Sequence, residues 1–166
     1  MKSLKISVAF FVLSIFLFGT YSGTFAQDKK ISKKNVPQAV LNSFHKTYPK
    51  AVIKGMSTET EKGKTFFEIE SVDGKVNRDL LYTAAGKIAE IEETIASSEL
   101  PKMSMQLIEK KFPGAKIEKA ERNTSGSKVI YELAITSKKG KFEVVLNKEG
   151  KIIKSKKASA EEGDGD

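Results

Sequence analysis

"LPKMSMQLIEKKFPGAKIEKA", residues 100–120, and "VPQAVLNSFHKTYPKAVIKGM", residues 36–56, are two versions of one segment. Laid over each other they align Pro37 with Pro101, Pro49 with Pro113, Ala51 with Ala115 and Ile53 with Ile117, always at the same offset (101 − 37 = 64). That offset persists downstream through Phe67 and Tyr131, Glu68 and Glu132, Gly86 and Gly150, Lys87 and Lys151, and Ile88 and Ile152. Coincidence in a lysine-rich chain does not keep prolines, a glycine and apolar positions in one order, so the sequence reads as an internal duplication. The register slips once, between Gly74 and Gly140 (140 − 74 = 66), which a hairpin turn tolerates.

Period and punctuation give the order of elements within each copy. Pro37 and Pro101 suit the first turn of a helix, where a missing N–H costs nothing. Val40, Leu41, Phe44 and Tyr48 recur at helical spacing, and Met105, Ile108 and Phe112 match the last three, giving each helix one apolar stripe. Pro49 and Pro113 then end the helix. Strict alternation follows, clearest where Val129, Tyr131, Leu133 and Ile135 interleave with Ile130, Glu132 and Ala134. Turn dipeptides stand at Lys62-Gly63, Asp73-Gly74, Ala85-Gly86, Gly126-Ser127, Lys139-Gly140 and Glu149-Gly150. The fold class expected is α+β: two tandem repeats, residues 36–95 and 100–158, each a helix followed by a four-stranded antiparallel sheet, with the helices on one face. One such unit has little core of its own, so the two are expected to share a continuous one.

Residues 1–26 are set apart from the fold. Lys2 and Lys5 precede an unbroken apolar run from Ile6 to Phe18, and a small-residue segment ends in Thr24-Phe25-Ala26. This is the pattern of an export signal, with cleavage expected after Ala26 and an uncleaved anchor as the alternative. The apolar run is short for a bilayer core of about 30 Å, so no stable membrane insertion is expected after cleavage. No cysteine stands at the junction to carry a lipid. Removing the leader leaves 140 residues (166 − 26) with a formal charge of +6 (27 − 21). The chain has no cysteine at all, so a protein sent to an oxidising compartment must be held by its core alone. Residues 27–35 and the acidic tail 159–166 lack apolar periodicity and are expected to be flexible and disordered.

The segments "VPQAVLNSFHKTYPKAVI", "KTFFEIES", "KVIYELAI" and "GKFEVVLNKEGKIIK" resemble the tandem PepSY-like, β-lactamase-inhibitor-protein-like domains of exported proteins common in Bacteroidetes. The shared signature is a Pro-opened helix ending in an aromatic-Pro pair, an aromatic-Glu strand and a closing Gly-Lys-Ile hairpin, and it covers residues 36–158. The resemblance implies a fold and a periplasmic or secreted setting. It carries no catalytic residues, and inhibition of a β-lactamase is implied by the family's name rather than by a motif in this chain.

Catalytic constellations are missing. His45 is the only histidine, which rules out a histidine acid–base pair or a multi-histidine metal centre and reads as a surface residue. A nucleophile motif of the GxSxG type does not occur, and glycines stand singly rather than in phosphate-cradling loops. Glu68 with Glu70, and Glu90 with Glu92, could pair two carboxylates on a strand face as glycosidases do. Their counterparts at the 64-residue offset, beginning with Ala134, Lys154 and Lys156 for the last three, do not preserve such pairs, and solvated glutamates are the plainer meaning. The terminal Asp-Gly-Asp lacks the further ligands of a calcium loop. No enzyme, no metal and no cofactor are expected.

Charge is uneven. Residues 36–95 carry eight basic and nine acidic groups, and residues 100–158 carry fifteen and six, a contrast of −1 against +9. Such a field could attract anionic envelope material. Of the 29 basic residues, however, only Arg78 and Arg122 are arginine, and nucleic-acid recognition leans on the arginine fork, so no nucleic-acid partner is expected.

Strand parity then names a binding face. Phe67, Ile69, Leu80, Tyr82, Val129, Tyr131, Leu133, Ile135, Phe142, Val144 and Leu146 should pack under the helices. The opposite side would display Phe66, Glu68, Asp79 and Leu81 with Ile130, Glu132, Glu143 and Val145, apolar anchors among carboxylates. The function expected is an exported non-catalytic module that binds a protein or peptide of the cell envelope through this face, with inhibition or regulation as its consequence; the alternative is a lysine-rich module adhering to anionic envelope material.

Overall fold

The computed structural model describes residues 29–61 and 63–158; the leader at 1–26 and the acidic tail at 159–166 lie outside the described residues. A two-residue strand β1 (Lys29–Lys30) and a 3₁₀ turn at Lys33–Asn35 lead into helix α1 (Gln38–Thr47). Four strands follow, β2 (Val52–Glu61), β3 (Lys64–Asp73), β4 (Val76–Thr83) and β5 (Ile88–Thr94). A second 3₁₀ turn at Ser97–Glu99 precedes helix α2 (Ser104–Lys111), and β6 (Lys116–Ser125), β7 (Lys128–Ser137), β8 (Gly140–Asn147) and β9 (Ile152–Lys157) complete the chain.

All nine strands form one antiparallel sheet in sequence order. This corrects the expected pair of helix-plus-four-strand units. The link is β5 with β6, where Ile91 faces Thr124, Glu92 faces Asn123, Glu93 faces Arg122 and Thr94 faces Glu121. The segment between these strands, including α2, packs on one face of the sheet, so β5 is free to take β6 as its neighbour and no edge remains between the halves. A sheet edge left open there would expose unpaired amides.

Register sorts the side chains cleanly. Ile69 faces Leu80 and Leu80 faces Ile91. Ala120 faces Leu133 and Leu133 faces Val144. The helices cover this side. Val40, Leu41 and Phe44 of α1 join Ile69, Leu80 and Tyr82 in one cluster, and Ile108 and Phe112 at α2 join Leu133, Ile135, Val144 and Leu146 in another. The core is therefore two clusters under one sheet, where a single continuous one was expected. Ile95, at the end of the first half, packs in the second cluster.

Two smaller expectations are also corrected. The segment 27–35 was expected to be flexible; over 29–35 it is built into the fold, with Lys29 opposite Thr58, Lys30 opposite Ser57, and Ile31 packed on the first cluster. Met105 does not belong to the apolar stripe of α2. It is 48% exposed, while Ser104, the counterpart of Val40, is fully buried. The reason is a close approach: a Cβ on Gly150 would lie 2.4 Å from Ser104 Oγ and 2.8 Å from Pro101 Cβ, so the helix is seated directly on this glycine and only a small residue fits opposite it. Gly86 plays the same part under α1, where a Cβ would lie 2.4 Å from the Ala39 carbonyl oxygen. Both glycines have positive φ, 78° and 85°.

Candidate functional site

The side of the sheet away from the helices is the candidate site. Each of the eight residues singled out from the sequence lies on it, because Phe66, Glu68, Asp79 and Leu81 alternate with the core residues of β3 and β4, and Ile130, Glu132, Glu143 and Val145 with those of β7 and β8. Glu68 faces Leu81 and Glu132 faces Val145 directly. The two halves of the set are not adjacent, since β5 and β6 stand between them.

Their exposure differs from the expectation. Ile130 is only 8% exposed and Val145 only 2%. Both sit on a face that no helix covers, flanked by long polar neighbours: Asn123 and Asn147 oppose Ile130, and Glu132 and Lys154 oppose Val145. They are thus core-like residues of the second half rather than open anchors. Phe66 and Leu81, half-buried, remain as the apolar contacts of the first half.

Carboxylates dominate the middle of the face, and several are ones that the parity argument did not select. Glu70 faces Asp79 and Asp79 faces Glu92, so three acids stand in one row across β3, β4 and β5. Glu121 faces Glu132 one strand further on. Like charges directly opposite on neighbouring strands are unfavourable, and partial burial adds to the cost. The acids respond as expected. Burial, then Glu68 and Glu70, raise Asp79 to about 7. Burial, then Glu121, Glu132 and Asp79, raise Glu92 to about 8. Burial, then Glu121, Glu90 and Glu143, raise Glu132 to about 7.

Some of the charge is answered locally. Ser57 Oγ donates to Glu68 Oε2 at 2.5 Å, Asn123 Nδ2 donates to Glu90 Oε1 at 2.6 Å, and Lys119 Nζ pairs with Glu121 Oε1 at 2.6 Å. Glu143 Oε2 is buried without a hydrogen-bond partner among the described residues. The sequence signal for the row was present in Glu70, Glu90 and Glu92, whose alternation marks one face. What could not be read was that β5 lies beside both β4 and β6, which concentrates acids from both halves.

Among the described residues no group of three or more histidines and carboxylates could hold a metal ion. His45 is an exposed residue whose ring meets Phe44 edge-on at 5.4 Å between centroids.

The sequence profile of the "beta-lactamase-inhibitor-like, PepSY-like" family matches residues 19–90 and 72–154. The chain belongs to the PepSY-like family. Solved structures agree in fold. A periplasmic protein of Bacteroides eggerthii DSM 20697 superposes with a TM-score of 0.57 at 12% identity, over 73% of this chain and 88% of that one. A BLIP-like protein of Bacteroides fragilis NCTC 9343 gives a TM-score of 0.55 at 13% identity, over 76% of this chain and 89% of that one. No curated protein matches the sequence. Among the described residues no helix is long and apolar enough to cross a membrane.

Proposed function

We propose that this protein is an exported, non-catalytic binding module whose uncovered sheet face engages a cationic, partly apolar surface on a protein or peptide of the cell envelope, inhibiting or regulating it. The observation that carries this reading is the row Glu70, Asp79 and Glu92 on three adjacent strands. A fold that needed these positions only for solubility would not set acids opposite one another at a half-buried surface. A basic partner relieves their repulsion and gains from burial of Phe66 and Leu81. Family membership and the descriptions of the two structural neighbours, one as periplasmic and one as BLIP-like, support an inhibitor-like module in that setting.

Capture from an envelope extract of the source organism tests it, comparing the wild-type protein with Phe66→Ser/Leu81→Ser and with Asp79→Asn/Glu92→Gln. The expected result is a basic partner retained at moderate salt by the wild type and lost by both variants, each still folded. Capture that is unchanged in the variants and abolished by salt alone would overturn the reading in favour of adhesion through surface lysines.

A further inference from the structure

The far edge of the sheet has a different character from its centre. Strand β9 pairs with β8 on one side and, among the described residues, has no strand on the other. Its sequence, Ile-Ile-Lys-Ser-Lys-Lys, places Lys154, Lys156 and Lys157 along that edge. The Ala158 N–H bonds to the Lys141 carbonyl, which sets the phase of the ladder. Alternation in an antiparallel pair then turns the N–H and C=O groups of Ser155 and Lys157 outward, toward the vacant side.

Beside this edge, on the helix side of the sheet, lies a groove of about 530 Å³ formed by Met103, Leu107, Lys110 and Lys111 from α2 and its start, with Lys151 and Ile152 from the entry to β9. Its floor is apolar and its rim carries three ammonium groups. Lys111 is held in place, donating to Ser155 Oγ at 2.7 Å with its Nζ 5.5 Å from the centre of the Phe112 ring. The groove therefore runs alongside outward-facing backbone groups, and every charged residue of its lining is a lysine.

We infer that the β9 edge and the adjoining groove form a docking strip for an extended peptide segment in which carboxylates alternate with apolar residues, paired to β9 as a tenth strand. Backbone pairing supplies the bulk of the contact, and alternate side chains enter the groove while the others lie over Lys154 and Lys156. Charge decides the occupant. Two copies of this lysine-rich edge repel each other, so the residues that protect the strand from self-pairing select an acidic strand in its place. This surface is separate from the acidic face and opposite to it in sign, so either can fail experimentally without the other.

The test is fluorescence anisotropy of the purified protein with a short fluorescein-labelled peptide of alternating valine and glutamate. Saturable binding is expected, weakened at least about tenfold by Lys110→Glu/Lys151→Glu and unaffected by Asp79→Asn/Glu92→Gln. The same peptide N-methylated at alternate amides requires no variant and is expected to lose binding, because it cannot pair with the edge. Equal binding of the methylated peptide, equal binding of an alternating valine-lysine peptide, absence of binding, or partition onto phosphatidylglycerol vesicles in preference to the peptide would each overturn the inference.

Discussion

Arg122 donates from Nη2 to Glu93 Oε1 at 2.5 Å, across the junction between β5 and β6. The other oxygen of the same carboxylate takes Arg78 Nε at 3.1 Å, so the chain's only two arginines, one from each half, close on one glutamate. Arg78 also lies 5.0 Å over the Tyr48 ring beyond α1. Burial alone would raise Glu93, but the hydrogen bonds and charges of Arg122 and Arg78 bring it below its ordinary value. Removing the carboxylate leaves two guanidinium groups without their acceptor on the helix side of the sheet. Glu93→Ala is expected to cost about 2 kcal/mol and to lower the melting temperature by roughly 5 °C, as read by circular dichroism. An unchanged melting temperature would show that the clamp is dispensable.

The two hydrophobic clusters raise the matter of cooperativity. Each half has too small a core to be secure alone, and Ile95 belongs by sequence to one half and by packing to the other. Calorimetry of the purified protein is therefore expected to show one transition, and a fragment ending at residue 97 to give a poorly dispersed NMR spectrum. Two resolved transitions would mean that the β5–β6 ladder does not couple the clusters.

Acidity should stabilise the sheet over a defined range. Asp79, Glu92 and Glu132 have folded values raised to about 7, 8 and 7, so between the ordinary carboxylate range and these values the folded state binds more protons than the unfolded one. Stability contributed by these groups is full below about pH 4.5 and is lost as pH rises through 7 to 8. Glu93, held low, works the other way only at acid pH. The melting temperature is expected to fall between pH 5.5 and pH 9, and Glu92→Gln is expected to flatten that profile and raise the melting temperature at pH 8 by about 3 °C. A profile that rises with pH over this window would contradict the assignment.

Glycine positions offer a paired comparison. At Gly86 an added methyl meets the Ala39 carbonyl at 2.4 Å, whereas at Gly126 it meets nothing within 4 Å, although both have positive φ. Gly126→Ala is expected to cost about 1 kcal/mol for the backbone conformation alone. Gly86→Ala must also push α1 off its seat and is expected to cost at least twice as much. Similar losses in urea unfolding would show that the helix yields easily.

Much of this molecule could be read locally. Each of the turn glycines at 63, 74, 86, 126, 140 and 150 has positive φ, and alternation in β3, β4, β7 and β8 was enough to sort side chains between two faces. What escaped was non-local. Ile88–Thr94 follows a turn glycine as a strand should, yet nothing in it states that its second neighbour is Lys116–Ser125, beyond α2. The same blindness hid the meeting of the acidic row on β3, β4 and β5 with Glu121 and Glu132, which requires β5 and β6 to be adjacent. Ile130 and Val145 were placed on the correct side, but the burial of a residue on an uncovered sheet depends on the reach of Asn123, Asn147, Glu132 and Lys154, which periodicity does not describe.

A sheet whose strands follow one another in chain order has a mechanical corollary. Its first and last strands lie at opposite edges, roughly 38 Å apart at the usual spacing of about 4.8 Å. A pull on the two ends would load the hydrogen bonds one strand at a time, as in opening a zip, rather than shearing many at once. A fold expected to melt as a unit is thus expected to yield to tension stepwise, and a tether at the amino-terminal end would hold the β9 edge at the side farthest from its anchor.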